Sequence, residues 1–192
     1  MATAALTYYT PEEYLALERN AEYKSEYIDG RIIAMSGALR AHVVIVANLT
    51  LEIGSRLLDS PCEVYPADMK VRIERSNRYV YPDLSVSCEP RFDDGYTDVL
   101  LNPVLIIEVL SDSTEKYDRG EKFVHYRRIE SLREYVLVSQ KEAKVETYVR
   151  EGDFWRATSV AGLDASLVLA SLELEIPLRR IYAKALRPPI EP

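Results

Sequence analysis

The sequence has no apolar run approaching the roughly 18 residues that a bilayer-crossing helix requires, so no transmembrane helix is expected. Residues 1–10 lack both the basic segment and the apolar core of a secretory signal. Cysteine is scarce. Cys62 and Cys88 are the only two, and their spacing matches neither a disulfide framework nor a metal-ligand pattern. Two free thiols in a reducing cytoplasm are therefore expected. Internal repeats, low-complexity tracts and linker-like stretches are also missing, which leaves one domain over residues 1–192. Positive charge is in deficit, with a formal net charge of −7. That is awkward for a nucleic-acid binder, because phosphate contacts need lysine and arginine. Locally the balance reverses, with six basic residues against three acidic ones over residues 116–133.

What is present reads as an α/β chain. At 192 residues, 47% of them hydrophobic, it is long enough for one domain with a real core. Thr10-Pro11-Glu12-Glu13 supplies an N-cap, a proline at the first helical position and two first-turn acids. The helix it opens has Tyr14, Leu15 and Leu17 as its apolar face. A hairpin follows, with strands over residues 23–28 and 31–35 around the turn Asp29-Gly30. The longest helical pattern spans residues 38–59, with Val43, Val46, Ala47, Leu49, Thr50, Ile53, Leu57 and Leu58 near period 3.6. Ser60-Pro61 stops it.

Strands are expected over residues 62–73, interrupted at Pro66, and over 79–88. In the latter, Val80, Leu84, Val86 and Cys88 face one way, and Tyr81, Asp83, Ser85 and Ser87 the other. Residues 103–110 form a continuous apolar run, as in a strand buried on both faces. A loop over 111–116 leads to a helix over 117–129. Strands over 134–139 and 145–150 then pair as a hairpin. Residues 152–155 read as a turn with an edge strand, and a short helix starts at Leu178.

Glu108 is the most informative residue. It sits within Val104-Leu105-Ile106-Ile107-Glu108-Val109-Leu110, where every neighbour favours burial. Its carboxylate needs a cation, a hydrogen-bond network or a proton. A buried salt bridge to an arginine is one answer, although such a pair adds little over an apolar replacement. Asp83, after Pro82, lies on the polar face of the preceding strand. Two inward carboxylates on neighbouring strands can share one Mg²⁺, which favours carboxylate and water oxygens. The carbonyl of Val109 is a third candidate ligand.

Three segments together resemble the Uma-two family of restriction endonucleases. They are Tyr81-Pro82-Asp83, then Ile106-Ile107-Glu108-Val109-Leu110-Ser111, then Tyr117-Asp118-Arg119-Gly120-Glu121-Lys122. Glu26-Tyr27-Ile28-Asp29-Gly30 with His42 beyond it, and Glu134-Tyr135-Val136-Leu137-Val138, are similar to that family too. The likeness covers residues 10–155. The family stands in the PD-(D/E)xK nuclease superfamily, so the resemblance implies a restriction-endonuclease-like core. That core is a mixed central sheet flanked by helices, here with an N-terminal helix and hairpin. It also implies divalent-metal-dependent hydrolysis of DNA phosphodiesters. One position departs from the pattern: Leu110 stands where the superfamily has a lysine. Lys122 is the candidate replacement and Lys70 a weaker one, while Lys122 with Asp118 is also an ordinary i,i+4 surface pair.

The resulting expectation is that Asp83, Glu108 and the Val109 carbonyl hold Mg²⁺ or Mn²⁺, which activates a water. Lys122 positions or deprotonates the nucleophile, and Arg119, Arg127 and Arg128 neutralise phosphates. Glu26 is either an additional acid or a solvated residue before the turn. His42 reads as helix packing or a phosphate contact, and His125 as surface. Tyr117 and Tyr126 read as core packing. DNA is the expected partner, with a homodimer as the commonest assembly. A non-catalytic module that keeps the fold to bind nucleic acid or to dimerise is the rival, favoured by the acidity and by Leu110. A hydrolase of a smaller phosphate ester is another.

Overall fold

Thr10 opens the first helix, α1 (Pro11–Glu18), through a reciprocal capping box. Its hydroxyl accepts the Glu13 N–H at 3.2 Å, and the Glu13 carboxylate accepts the Thr10 N–H at 2.8 Å. The computed structural model describes residues 7–93, 96–112 and 114–186. Strands β1 (Ser25–Ile28) and β2 (Arg31–Ala34) form the expected hairpin. Asp29 and Gly30 both have positive φ, 50° and 87°, as a two-residue hairpin turn demands. Tyr8 packs against Gly30 so closely that a Cβ there would stand 2.8 Å from its ring.

Two of the expected strands each divide between two sheets. Residues 62–73 become β3 (Cys62–Pro66) and β4 (Lys70–Ile73). Residues 79–88 become β5 (Arg78–Val80) and β6 (Leu84–Cys88), joined by Tyr81-Pro82-Asp83. Pro66 and Pro82 fall at these breaks because a proline has no N–H to give to a ladder. Val80 therefore packs in a different core from Leu84 and Val86. Helix α2 (Arg40–Gly54) precedes β3 and is shorter at both ends than expected.

Next come β7 (Phe92–Asp93), β8 (Tyr96–Leu100) and β9 (Leu105–Leu110). A helix, α3, then runs through Glu115–Tyr117, a π-helical turn Asp118–Lys122, and Phe123–Tyr126. After it stand β10 (Glu134–Ser139), β11 (Lys144–Glu151), β12 (Phe154–Ala161), β13 (Ser166–Leu169), β14 (Leu174–Pro177) and α4 (Leu178–Ile181). The β7–β8 pair and the β13–β14 hairpin were not expected. β12 is longer than the edge strand read at 152–155, because most of its residues are exposed and leave no apolar alternation.

The central mixed sheet has the order β12-β11-β10-β9-β6-β3, and the second sheet β2-β1-β5-β4-β8-β7. Within the central sheet β9 and β10 are parallel, with Leu105 opposite Glu134 and Leu110 opposite Ser139, and α3 makes the crossover. Alternation along β9 assigns its faces. Leu105, Ile107 and Val109 join Ile45, Leu49 and Ile53 of α2 with the β13–β14 hairpin and α4. Ile106 and Leu110 join Tyr126 and Leu132 with Val71, Ile73, Val80 and Leu100 of the second sheet. Glu108 shares the parity of Ile106 and Leu110, so it points toward α3. The mixed sheet flanked by α2 and α3, with an N-terminal helix and hairpin, is the fold expected from the sequence.

Some side chains depart from expectation. Leu17, Val43 and Leu58 are exposed rather than core. Cys62 and Cys88 are not free thiols; they stand directly opposite each other on β3 and β6 and form a disulfide. Their separation of 26 residues in the chain conceals that they are cross-strand neighbours. Among the described residues no helix is long and apolar enough to cross a membrane.

One buried acid fastens the C-terminal hairpin to the central sheet. Glu134, fully buried, accepts the N–H groups of Ala170 and Ser171 at 3.3 and 2.9 Å and the Ser171 hydroxyl at 2.8 Å. Glu134→Ala strands three donors, so it is expected to cost about 3 kcal/mol, read as a lowered midpoint in urea unfolding.

Candidate functional site

The antiparallel pairing of β6 with β9 ends where Leu84 faces Ile107, and β9 continues alone on that edge. Asp83 fills the gap: its Oδ2 accepts the Val109 N–H at 2.7 Å. The N–H and C=O of one strand residue point to the same edge, so the Val109 carbonyl faces the Asp83 side as well. His42, in the first turn of α2, places Nε2 3.0 Å from the same Asp83 oxygen.

Glu108 is 3% exposed. Its Oε1 accepts the Tyr126 hydroxyl at 2.8 Å and stands 2.7 Å from Lys122 Nζ. Lys122 Nζ is also 3.6 Å from Asp118 Oδ1 and 3.8 Å from Glu26 Oε1. Glu26 Oε1 in turn accepts the Tyr81 N–H at 3.1 Å. The π-helical turn of α3 sets this face, burying Asp118 and Lys122 while Gly120 and Glu121 are exposed. Asp118 and Lys122 are thus a buried pair, not a surface one, and the cation beside Glu108 is a lysine, not an arginine.

Three carboxylates, from Glu26, Glu108 and Asp118, stand around one ammonium, and Asp83 is near enough to act on Glu108 and Asp118. Burial pushes Glu108 up to about 8; Lys122 opposes this, while Asp83 and Asp118 add to it. Burial also raises Asp118. Burial alone would discharge Lys122, but Glu108, Glu26 and Asp118 together outweigh it and hold the ammonium above its ordinary range. A lysine so held favours its charged form at neutral pH. The Tyr126 phenol is raised well beyond its usual range by burial, so it remains a donor to Glu108.

The excess of negative charge in a buried cluster fits a divalent cation. Among the described residues, no three His, Cys, Asp or Glu side chains make a ligand set by themselves. The oxygen donors that could serve such an ion are Asp83, Glu108 and the Val109 carbonyl, with water. That composition suits Mg²⁺ or Mn²⁺, since hard cations take oxygen ligands and Mg²⁺ keeps several waters.

Other candidates stand elsewhere. Lys70 pairs with Asp98 at 2.8 Å and reaches the Tyr81 hydroxyl at 3.3 Å, so it does not replace the missing lysine. Arg119 is engaged by Glu115 and by both carboxylate oxygens of Glu146. Arg128 bonds Ser76 at 3.1 Å, and Arg127 is exposed. None of the three joins the cluster. His125 is half-buried rather than surface, and burial lowers its pKa. Sequence reasoning missed the roles of Asp118, Tyr126 and the His42–Asp83 link. The spacing of Asp118, Lys122 and Tyr126, four residues apart on one helix, was a usable signal.

The family model described as "Uma2: Putative restriction endonuclease" matches residues 11–179. The chain belongs to the Uma2 family. Two proteins of Synechocystis sp. (strain ATCC 27184 / PCC 6803 / Kazusa) resemble it closely. Uncharacterized protein slr1290 is 38% identical, with 90% of each chain covered. Uncharacterized protein sll1609 is 36% identical over 91% of this chain and 99% of that protein. The crystal structure of a putative nuclease belonging to DUF820 from Anabaena variabilis ATCC 29413 shares the fold of this Uma2 chain. Its TM-score is 0.75 at 20% identity, over 92% of this chain and 99% of that one.

Proposed function

We propose that this chain is a divalent-metal-dependent endonuclease that hydrolyses DNA phosphodiester bonds. One observation carries the reading: Lys122 Nζ, from α3, stands 2.7 Å from Glu108, supplying the ammonium that Leu110 cannot. Membership of a family whose model is described as "Putative restriction endonuclease" supports it. When bound by Asp83, Glu108 and the Val109 carbonyl, Mg²⁺ or Mn²⁺ supplies a Lewis acid and a water of lowered pKa.

The chain's own groups do the rest. The Val109 N–H and His42 fix one Asp83 oxygen, leaving the other side of the carboxylate for a ligand. Tyr126 and Lys122 fix Glu108 Oε1. Lys122 stays charged, so it stabilises negative charge developing at phosphorus rather than removing the proton of the nucleophile. Leu110 packs in the core beside Tyr126, which leaves no room on β9 for a second charge.

The test is cleavage of supercoiled plasmid and of single-stranded DNA with Mg²⁺ or Mn²⁺, comparing wild type with Asp83→Ala. Metal-dependent cutting that falls at least about 100-fold in the variant is the expected result. Wild-type protein that cuts neither DNA with either metal, or cutting that Asp83→Ala retains, overturns the reading.

A further inference from the structure

Three arginines of the basic segment at residues 116–133 have no part in the site. Lys122 serves the buried acids, and Arg119 is engaged by Glu115 and Glu146. Arg127, Arg128 and Arg133 remain, all exposed on the turn that joins α3 to β10. Arg150 of β11 comes to the same place. Its backbone N–H donates to the Arg133 carbonyl at 2.8 Å. Its guanidinium donates to the carbonyls of Arg127 and Ile129 at 2.5 and 3.0 Å. Among the described residues none of these four arginines pairs with a carboxylate. Arg128 donates to the Ser76 hydroxyl at 3.1 Å, and Glu130, the acid on the turn, is engaged by Arg75.

Such crowding is unfavourable by itself. Burial and then Arg133 lower the pKa of Arg150. Burial lowers His125 too, with Arg78 and Arg128 adding to it. The chain carries −7, so acids are in surplus, yet they leave this turn positive. A focus of like charge is relieved when an external anion arrives.

We propose that this turn is the surface on which the phosphate backbone of DNA docks. Arg127, Arg128 and Arg133 make the contacts. Arg150, half-buried and 4.8 Å from the Trp155 ring, is a fixed charge beneath them that holds the turn in shape. Separate exposed guanidiniums along a turn suit a row of phosphates, each matched by the planar fork of one arginine. The surface also adjoins the site. Tyr126, next to Arg127 in the chain, donates its hydroxyl to Glu108. Glu134, next to Arg133, stands opposite Leu105, three residues before Glu108 on β9. At about 3.3 Å per residue the turn lies about 10 Å from the level of Glu108, or some three base steps of duplex. Choosing DNA among polyanions rests on the nuclease reading; the positive surface does not.

Fluorescence anisotropy of a labelled duplex of about 20 base pairs, titrated with protein in Ca²⁺ at several salt concentrations, gives the test. The triple variant Arg127→Gln/Arg128→Gln/Arg133→Gln is expected to bind about 10- to 100-fold more weakly at about 0.1 M salt. Its slope of log affinity against log salt is expected to be shallower by about 2 to 3, with no loss of melting temperature. Arg179→Gln removes an exposed arginine paired with Asp164 elsewhere, and is expected to leave binding unchanged. A wild type that does not bind the duplex overturns the proposal, as does a triple variant that retains both affinity and slope. Capture of the wild type by phosphatidylglycerol vesicles, without binding to DNA, reassigns the surface to lipid and overturns it too. Binding that the triple variant loses, but that Mg²⁺ or Mn²⁺ never turns into cleavage, sinks only the nuclease reading. Cleavage that the triple variant retains undiminished sinks only this inference.

Discussion

Lys122→Met is expected to destabilise the protein by about 3–5 kcal/mol at pH 8, the range seen when one partner of a buried ion pair is removed. Among the described residues the lysine is the cation that pairs with Glu26, Glu108 and Asp118, and all three are buried. Without it those carboxylates must protonate or repel, and a methionine fills the volume without answering either need. The deficit should depend on pH in a defined direction. Lys122 holds Glu108 down, so its removal raises Glu108 further above the unfolded value of 4.5. A raised acid favours the folded state fully below its unfolded pKa and loses that favour as pH climbs through the folded one. Between pH 5 and 8 both proteins lose that favour at the same rate, so the Glu108 share of the deficit is level there. It widens only above about pH 8, where the wild type has finished titrating and the variant has not. Thermal melts of both proteins from pH 5 to pH 10 provide the measurement. A deficit that does not change with pH would show that Lys122 acts by packing alone.

Glu108→Gln is expected to do the opposite when no metal is present. The amide keeps an oxygen for the Tyr126 hydroxyl but carries no charge. In the wild type, Glu108 titrates at about 8 when folded against an ordinary 4.5, so stability declines as pH rises between those values. The amide has no such slope. The variant should match the wild type near pH 4.5 and exceed it by a few kcal/mol at pH 8. Adding Mn²⁺ should reverse the ranking. The wild type gains melting temperature as the ion takes up the charge, and the variant, short of one ligand, gains little. Cleavage by the variant should fall at least about 100-fold. A wild type that shows no metal-dependent shift at pH 8 would remove the metal from the account, while the pH slope would survive as a property of the buried cluster.

Much of this was legible in the sequence because the relevant signals are local. The Thr10-Pro11-Glu12-Glu13 cap, the Asp29-Gly30 turn and the apolar β9 each depend on residues next to one another. Glu108 announced itself by contrast with its neighbours, and Lys122 by its place in the Asp118–Lys122 motif. What stayed hidden depends on distance. Cys62 and Cys88 become partners only when β3 pairs with β6. Residues 79–88 read as one strand, yet Pro82 marks a passage from one sheet to another, which only tertiary pairing decides. Lys70 and Arg119 have residue types suited to the chemistry but are drawn away by Asp98 and by Glu115 and Glu146. Burial was misjudged along α2, where a period of 3.6 identifies a helix without saying how much of its circumference is covered.

The cluster draws Glu26 from the hairpin, Asp83 from the passage between sheets, Glu108 from the central sheet and Lys122 from the crossover helix. No stretch of chain emerging from the ribosome holds more than a fragment of it. Until residue 122 has been made and α3 has docked, the three earlier acids remain separately hydrated, and a hydrated carboxylate gathers no cation in a fixed frame. An unfinished or misfolded molecule is thereby chemically mute. On the proposed nuclease function, cleavage would therefore begin only with completion of the fold.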